Sequence, residues 1–546
     1  MVQDTRFTVN LFLLKDLRSL GRKPRLLYMV WESWYRLRYE KTASIHSYLK
    51  IQAMKIVLIN LSSTMSSDGS RLISALLKQA GYSVTNIFLA RSEPFNYEVS
   101  ELQLLEPVLE NTGLVLLGVY SSYVGRAIQI TQYIKKFFPG IKVVWGGPHC
   151  IAAPELALAF ADGVCFSEGD EAVVDFVGKM ARGEDYTDTP NMAFQENGKM
   201  IINNVLPPFK DLDSLPYYDY DYDNAYLLDK QLLSLTKDII KERFAYYPFY
   251  APTFYMLSSR GCPNRCTYCN NSRYIAMFGK NSVRLHSVDR VIEELASSLN
   301  KFKFFDYVLI ADDDFFMRPV AQIEDFARQY KDRIGIPFGV AVSPNTYNSR
   351  KMQLLVDAGL KFIQMGVQTG SQRILDEVFK RNTNAEKTAE VIRELETYKK
   401  SHDIELLLDF IIDNPYETRE DVFLTYKCLT ALPLHVIVNI FYLTFFPGTP
   451  LYEKAVADGF TEPFGSKTTR LRFFTRHGVP VRYQKNYEML LILLTKKFRL
   501  RCIDHEFRYR KWIPGALFRA LGIKPLRALG ALLPESFYML LFKKLT

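Results

Sequence analysis

Two series of short apolar runs, each run parted from the next by a stretch with helical spacing, limit the fold of this chain more than any other feature. In the first series the runs fall at 55–61, 83–89, 114–121, 142–147 and 163–168, with helical patterns near 70–80, 98–110, 125–138, 153–161 and 170–181. The run Lys55-Ile-Val-Leu-Ile-Asn60 has no polar face, which suits a parallel strand covered on both sides by helices. Five such units predict a doubly wound α/β domain over 54–182. In the second series the runs fall at 253–258, 307–313, 338–343, 362–368, 405–412 and 436–446. Six βα units over 253–455 predict an open, partial (β/α)6 barrel, two units short of a closed one. Residues 183–252 read as a linker, with Pro207-Pro208 and many tyrosines from Tyr217 to Tyr250. Residues 1–53 read as a basic N-terminal extension, with Met54 as an alternative start, and 456–546 as a basic helical C-terminal region.

Composition narrows the function classes. Apolar residues make up 48% of the 546 and charged residues 23%, a globular balance that argues against disorder. No run of eighteen apolar residues is present, and Lys15, Asp16 and Arg18 interrupt the early apolar stretch, so neither a membrane-spanning helix nor a secretory leader is expected. Seven cysteines in so long a chain suggest reduced thiols in the cytosol, available for metal or catalysis. The net charge of +10 is unevenly spread. Residues 1–53 hold ten Lys/Arg against four Asp/Glu, and 466–546 hold eighteen against four, which leaves an acidic middle and points to the ends as the parts that meet an anionic partner.

The most informative segment is Arg260-Gly-Cys262-Pro-Asn-Arg-Cys266-Thr-Tyr-Cys269. Chance would place cysteines in this C-x3-C-x2-C spacing on the order of once in a thousand chains of this length. The segment follows the first strand of the barrel, on the face where active sites gather. Four thiolates would close a metal site or fully ligate a cluster, whereas three leave one iron of a four-iron cluster open to chelate a small molecule. A three-cysteine zinc knuckle with a distant histidine is the alternative.

At these residues the chain resembles the radical S-adenosylmethionine (SAM) superfamily, whose signature is this loop with an aromatic residue, here Tyr268, before the third cysteine. The resemblance continues through Leu309-Ile-Ala-Asp-Asp-Asp-Phe315, Met365-Gly-Val-Gln-Thr-Gly-Ser371, Lys380-Arg381, Leu408-Asp409 with the turn to Thr418, and Phe446-Pro-Gly-Thr-Pro-Leu-Tyr452. It implies a [4Fe–4S] cluster on Cys262, Cys266 and Cys269, with SAM on its open iron. It further implies that Gln368, Arg381 and Asp409 hold the ribose and carboxylate of SAM and that Asp312 or Asp313 contacts its amino group. Gln368 stands where many relatives carry Glu, and Asp413-Asn414 where Gly is usual. For Asp312 and Asp409 the plainer reading is a buried helix cap.

The first domain is similar to the flavodoxin-like cobalamin-binding domain that precedes many radical SAM barrels, through Gly118-Val-Tyr-Ser-Ser-Tyr123, Val143-Val-Trp-Gly-Gly-Pro-His149 and Ser167-Glu-Gly-Asp-Glu171, with Asp211 to Tyr217 resembling the linker. The resemblance implies a corrinoid held at the strand ends by Ser121, Ser122, Gly146, Gly147, Glu168 and Gly169, the glycines admitting close backbone approach. The D-x-H-x-x-G lower-ligand motif is missing: Asp68-Gly69 sits in that loop without a histidine. His149 reads equally as a cofactor contact or a helix cap. A vestigial domain without corrinoid is the alternative.

Together these features imply a cobalamin-dependent radical SAM enzyme that transfers methyl to an unactivated carbon through a 5′-deoxyadenosyl radical and methylcobalamin. Oxidative cyclisation or rearrangement without methyl transfer, and a non-catalytic corrinoid or redox binding protein, stay open. The expected partners are a small-molecule or lipid substrate and an electron donor of flavodoxin or ferredoxin type. The basic, apolar run Trp512–Arg527 and the stretch 537–544 favour peripheral membrane contact over nucleic acid, or else a helical cap on the barrel. A cytoplasmic protein is expected, with removal of 54–182 taking the corrinoid and leaving the cluster.

Overall fold

The computed structural model describes residues 54–463 and 501–503, apart from 63–64, 67, 91–96, 197, 247–248, 250, 413 and 433–435. The N-terminal extension, and the C-terminal segments read as membrane-binding, lie outside the described residues. No helix among those described is long and apolar enough to cross a membrane.

The first sheet is built on β1 (Lys55–Asn60), β2 (Ser83–Leu89), β3 (Thr112–Gly118), β4 (Lys142–Gly146) and β5 (Gly163–Cys165), all parallel, in the order 5-4-3-1-2. In β1 every residue after Lys55 is buried, as two-sided helix cover requires. The helices α1 (Asp68–Gln79), α2 (Val124–Phe137), α3 (Pro148–Ala152) and α4 (Ala172–Arg182) are among those that follow these strands. The stretch read as a linker does more than connect. It supplies β6 (Met192–Glu196) and β7 (Lys199–Ile202), an antiparallel hairpin on β5, then β8 (Ala225–Asp229), parallel to β2, and β9 (Gln231–Ser234), antiparallel to β8. The sheet thus has nine strands. The outermost, β7 and β9, bury neither face fully, so their sequences lack a strong apolar run.

The second sheet runs β10 (Ala245–Tyr246), β11 (Ala251–Met256), β14 (Tyr307–Ile310), β15 (Phe338–Val342), β16 (Leu360–Gln368), β17 (Glu405–Ile412), β18 (Ile437–Tyr442) and β19 (Arg501–Ile503). Its six long strands are parallel, and its end strands β10 and β19 are not paired with each other, so the sheet stays open. Between β11 and β14 a small antiparallel ribbon, β12 (Ser259–Arg260) with β13 (Arg284–Leu285), stands apart. Helices α5 (Asn271–Phe278), α6 (Val288–Phe302), α7 (Val320–Arg333), α8 (Ser349–Asp357), α9 (Ala385–His402) and α10 (Arg419–Ala431) connect the strands. In α6 the apolar positions Val288, Val291, Ile292 and Leu295 line one buried stripe, and the Ser287 hydroxyl caps its start by accepting from the Arg290 N–H at 3.2 Å, as helical periodicity and capping chemistry lead one to expect.

The largest core cluster fills the barrel's helix side, with Phe254, Ile292, Val308, Phe338, Ile363 and Leu408, and extends without a break to Met65, Phe88 and Leu227 of the first domain. Arg71 of α1 ties the seam. Its guanidinium lies 4.7 Å from the Phe88 ring and 4.3 Å from the Tyr220 ring, and donates to the Met65 and Asp219 carbonyls at 2.8 and 2.6 Å. A second seam is made by Gly448, at φ +81°, packed so tightly on the Ala152 carbonyl that a Cβ there would overlap it. Gly448→Ala is therefore expected to cost about 2–4 kcal/mol and to lower the melting temperature by several degrees in a thermal scan.

Candidate active site

The three cysteines lie between the β12–β13 ribbon and α5. Gly261, at φ +81°, starts the loop where a Cβ would collide with the Ser282 carbonyl. The loop's middle is fixed by the barrel: the Thr267 N–H donates to the Phe379 carbonyl at 2.9 Å and its hydroxyl to the Val378 carbonyl at 2.6 Å. Cys266 is buried, and Cys262 and Cys269 are half-buried. Burial pushes the Cys262 thiol up to about 12 and the Cys269 thiol up to about 11, so a thiolate here at neutral pH needs a cation beside it. All three line one cavity of about 370 Å³ at the carboxyl ends of the barrel strands. Among the described residues no three His, Cys, Asp or Glu side chains gather closely enough to hold a single metal ion. In a four-iron cluster three such thiolates would each take a different iron and leave the fourth open.

Gln368, Arg381, Asp409, Asp312 and Asp313 line the same cavity. Gln368 ends β16 at φ +73°, a conformation costly for a residue with a side chain and concentrated at functional sites. A Cβ at Gly366 would meet the Gln368 amide, so a side chain there would require that amide to move. Arg381 follows a π-helical turn (Ile374–Val378) and a left-handed Lys380. Its Nη2 donates to the Gly366 carbonyl at 3.0 Å, and its Nη1 lies 3.2 Å from the Tyr268 hydroxyl and 3.8 Å from Cys266 Sγ. Its buried Nε finds no partner among the described residues, a donor that fits an added anionic group.

The two neighbouring aspartates divide the work. Asp312 is 2% exposed and accepts from the Ser258 N–H and hydroxyl, both at 2.6 Å, so its carboxylate braces the ribbon. Asp313 accepts from Asn271 Nδ2 at 3.0 Å and opens on the cavity, with burial of its other sides raising its pKa.

Asp409 pairs in register with Gly366 on one side and Asn439 on the other. It accepts from Gln364 Nε2 at 2.8 Å and Asn439 Nδ2 at 2.9 Å. It lies within a strand rather than at a helix start, which removes the capping reading. Burial pushes its pKa up to about 6. The folded state therefore holds this proton more tightly than the unfolded chain. Stability from the group is full below about pH 4 and is lost as pH rises to about 6, by at most about 3 kcal/mol. In cofactor-free protein, Asp409→Asn is expected to lose less urea resistance than the wild type between those pH values. Gln364, Tyr255 and Ser343 also line the cavity and escaped the sequence reading. Gln364 could have been found as the polar residue two before Gly366 and four before Gln368, on one strand face.

At the edge of the first sheet, Ser121 and Ser122 form a short 3-10 turn after β3, both half-buried. The Ser121 hydroxyl lies 3.0 Å from His149 Nδ1, and burial pushes that imidazole down to about 4, so it is neutral at pH 7. Gly147 has φ +98°, and a Cβ there would come within 3.0 Å of the Val119 main chain; a Cβ at Gly169 would crowd Val173 and Ile73. Gly147 and Gly169 thus serve packing within the domain, whereas at Gly146 a Cβ would make only ordinary contact. Glu168 is likewise engaged within the protein. Its carboxylate is occupied by Arg284, with Nη1 at 2.9 Å, and by the Phe209 N–H at 2.8 Å. In the first loop the Asp68 carboxyl has an enclosed Oδ1 without a hydrogen bond, and burial pushes its pKa up to about 8 despite nearby Arg71. An orphaned acceptor at a strand-end edge fits a group to be added there.

A C-x3-C-x2-C loop on an open parallel barrel, with a doubly wound domain set against its mouth, is the arrangement of a radical SAM barrel with an appended corrinoid-type domain. Comparison with known sequences agrees: residues 256–429 match the Radical SAM superfamily and residues 54–177 the B12 binding domain. The chain carries a radical SAM domain preceded by a B12-binding domain, and these domains imply a [4Fe–4S] cluster, SAM and cobalamin as its cofactors. It is 26% identical over 441 residues, 79% of this chain and 88% of the other, to an uncharacterized methyltransferase of Pyrococcus horikoshii. It is 20% identical over 388 residues, 62% of this chain and 70% of the other, to cytidylyl-2-hydroxyethylphosphonate methyltransferase of Streptomyces wedmorensis. Its fold is similar to that of the radical SAM methyltransferase TsrM from Kitasatospora setae, solved with cobalamin and a [4Fe–4S] cluster bound, with a TM-score of 0.59 at 16% identity over 74% of this chain and 78% of that one.

Proposed function

We propose that the chain is an enzyme that transfers a methyl group to an unactivated carbon of a small molecule. The observation that carries this reading is the meeting of the two sites: Asn270, next to Cys269, donates to the Pro148 carbonyl of the first domain's strand-end loop at 3.0 Å. The methyltransferase names of both sequence relatives support it. When bound, the cluster and SAM supply a radical able to remove a substrate hydrogen, and cobalamin supplies the methyl group.

The residues of the chain do the holding. Cys262, Cys266 and Cys269 would hold the cluster. Asp313 would accept from the amino group of SAM, Arg381 would turn its orphaned Nε to the carboxylate, and Gln368 and Asp409 would take the ribose hydroxyls. Ser121, Ser122 and the main chain at Gly146 and Gly147 would meet the corrinoid. Glu168 and Gly169 would act on it only by shaping their loop. With Asp68 in the first loop and no histidine there, the lower face of the corrinoid would have no imidazole ligand from that loop.

Reconstituted protein given SAM and a flavodoxin- or ferredoxin-type donor under anaerobic conditions should release 5′-deoxyadenosine, and extracts containing its substrate should gain a product heavier by one methylene. Release of no 5′-deoxyadenosine from protein loaded with cluster overturns the reading. A lipid substrate taken at the membrane is the finer form of this proposal. It requires the full chain to sediment with anionic liposomes and to detach as salt rises; salt-independent solubility without liposome binding sets it aside.

A further inference from the structure

Both ends of the cysteine loop are held by the first domain. Two residues before Cys262, Arg260 places its two terminal nitrogens on the two oxygens of Asp170, at 2.7 and 2.9 Å, with Glu168 at 3.4 Å. Across the ribbon its register partner Arg284 pairs with Glu168 and donates to the Phe209 carbonyl at 2.6 Å. One residue after Cys269, Asn270 makes its bond to Pro148. The carboxylate side chains are 6% and 8% exposed. A forked arginine–carboxylate pair fixes orientation as well as distance, and in so buried a setting neither partner can leave without stranding a charge. Of the loop itself, the barrel grips chiefly the middle, at Thr267.

The anchoring loops, 146–149 and 167–171, are the ones expected to carry the corrinoid. We propose that they couple the two cofactor sites, with Asp170, Arg260 and Asn270 as positioning residues through which occupancy of the corrinoid site sets the geometry of the cluster loop. This rests on the proposed reading that the corrinoid lies on these loops. Coupling between binding sites is reciprocal, so SAM affinity and corrinoid affinity must change each other by the same factor.

The test uses the full chain with its cluster reconstituted, titrated with hydroxocobalamin. Two quantities are read: the electron paramagnetic resonance spectrum of the reduced cluster, and the SAM dissociation constant with and without cobalamin. In the wild type, cobalamin should shift the g-values and change SAM affinity by roughly fivefold or more. Asp170→Asn and Asn270→Ala should keep the fold yet lose that response, and Asp170→Glu, which keeps the charge, should recover part of it. Loss of the cluster from a folded Asp170→Asn protein also supports the proposal. If Asp170→Asn does not fold, Asn270→Ala, which removes a single hydrogen bond, decides alone. Cobalamin that binds the wild type without altering spectrum or SAM affinity overturns the coupling and leaves the functional reading standing. So does a response unchanged in the variants. A chain that takes up no cobalamin overturns both.

Discussion

Alanine at Cys262, Cys266 or Cys269 is expected to abolish the iron–sulfur absorbance and all reductive cleavage of SAM. Each thiol lines the same cavity, Cys266 buried beside Arg381 and the other two half-buried. Burial raises the Cys262 and Cys269 thiols, so the protein alone does not favour the thiolates, and the cluster's own charge must draw them out. Removing one ligand leaves two irons without a protein donor, and Asn264, 3.6 Å from Cys262 Sγ, offers only a neutral amide as replacement. Iron analysis checks the result: a single variant that keeps about four irons per chain would contradict the assignment.

Arg381→Ala should produce the next largest effect, a loss of SAM affinity of roughly a hundredfold, about 3 kcal/mol. Arg381 is 7% exposed, and its guanidinium joins three parts of the site, the Gly366 carbonyl, the Tyr268 hydroxyl and Cys266. Its removal leaves that carbonyl short of a donor and deprives the carboxylate of SAM of a charged partner. Arg381→Lys should recover little, since one ammonium cannot reach what the planar fork reaches. Equilibrium binding of SAM to cluster-loaded variants checks this, and affinity within threefold of wild type would remove Arg381 from the proposed site.

The parts of the fold that could be read in the sequence are those whose residues are buried on both sides. The strands β1 to β5 and the six of the barrel are near-continuous apolar runs, because helices cover both faces. Of the pieces from β6 to β9, β7 and β9 were hidden because edge strands are half-exposed, and β6 and β8 because they are short. The cysteine spacing pointed to the site because three ligands must come from one short loop. Side-chain commitments could not be read. Glu168 looks like a polar loop residue until Arg284, more than a hundred positions later, is brought to it. Asp312 and Asp313 are equivalent as letters, yet the chain sends one into a brace and the other towards the cavity. Gln364 was overlooked because a glutamine within a strand carries no chemistry until its neighbours Asp409 and Gln368 are known.

The apolar cluster that runs from the barrel helices to Met65, Phe88 and Leu227 has a consequence for how the protein is taken apart, and for how its lineage could recombine. A first domain that ends in the second domain's core cannot be cut away cleanly. Removing 54–182 would bare Phe254 and its neighbours and strand the arginines of the β12–β13 ribbon, so the cluster is expected to go with the corrinoid, contrary to what two separate domains would allow. Denaturation should then follow one transition, since neither half owns a complete interior. A chimera carrying another member's corrinoid domain would melt as one body only if it also brought residues to fill the places of Met65, Phe88 and Leu227, which makes this seam, rather than either cofactor pocket, the barrier to exchanging halves.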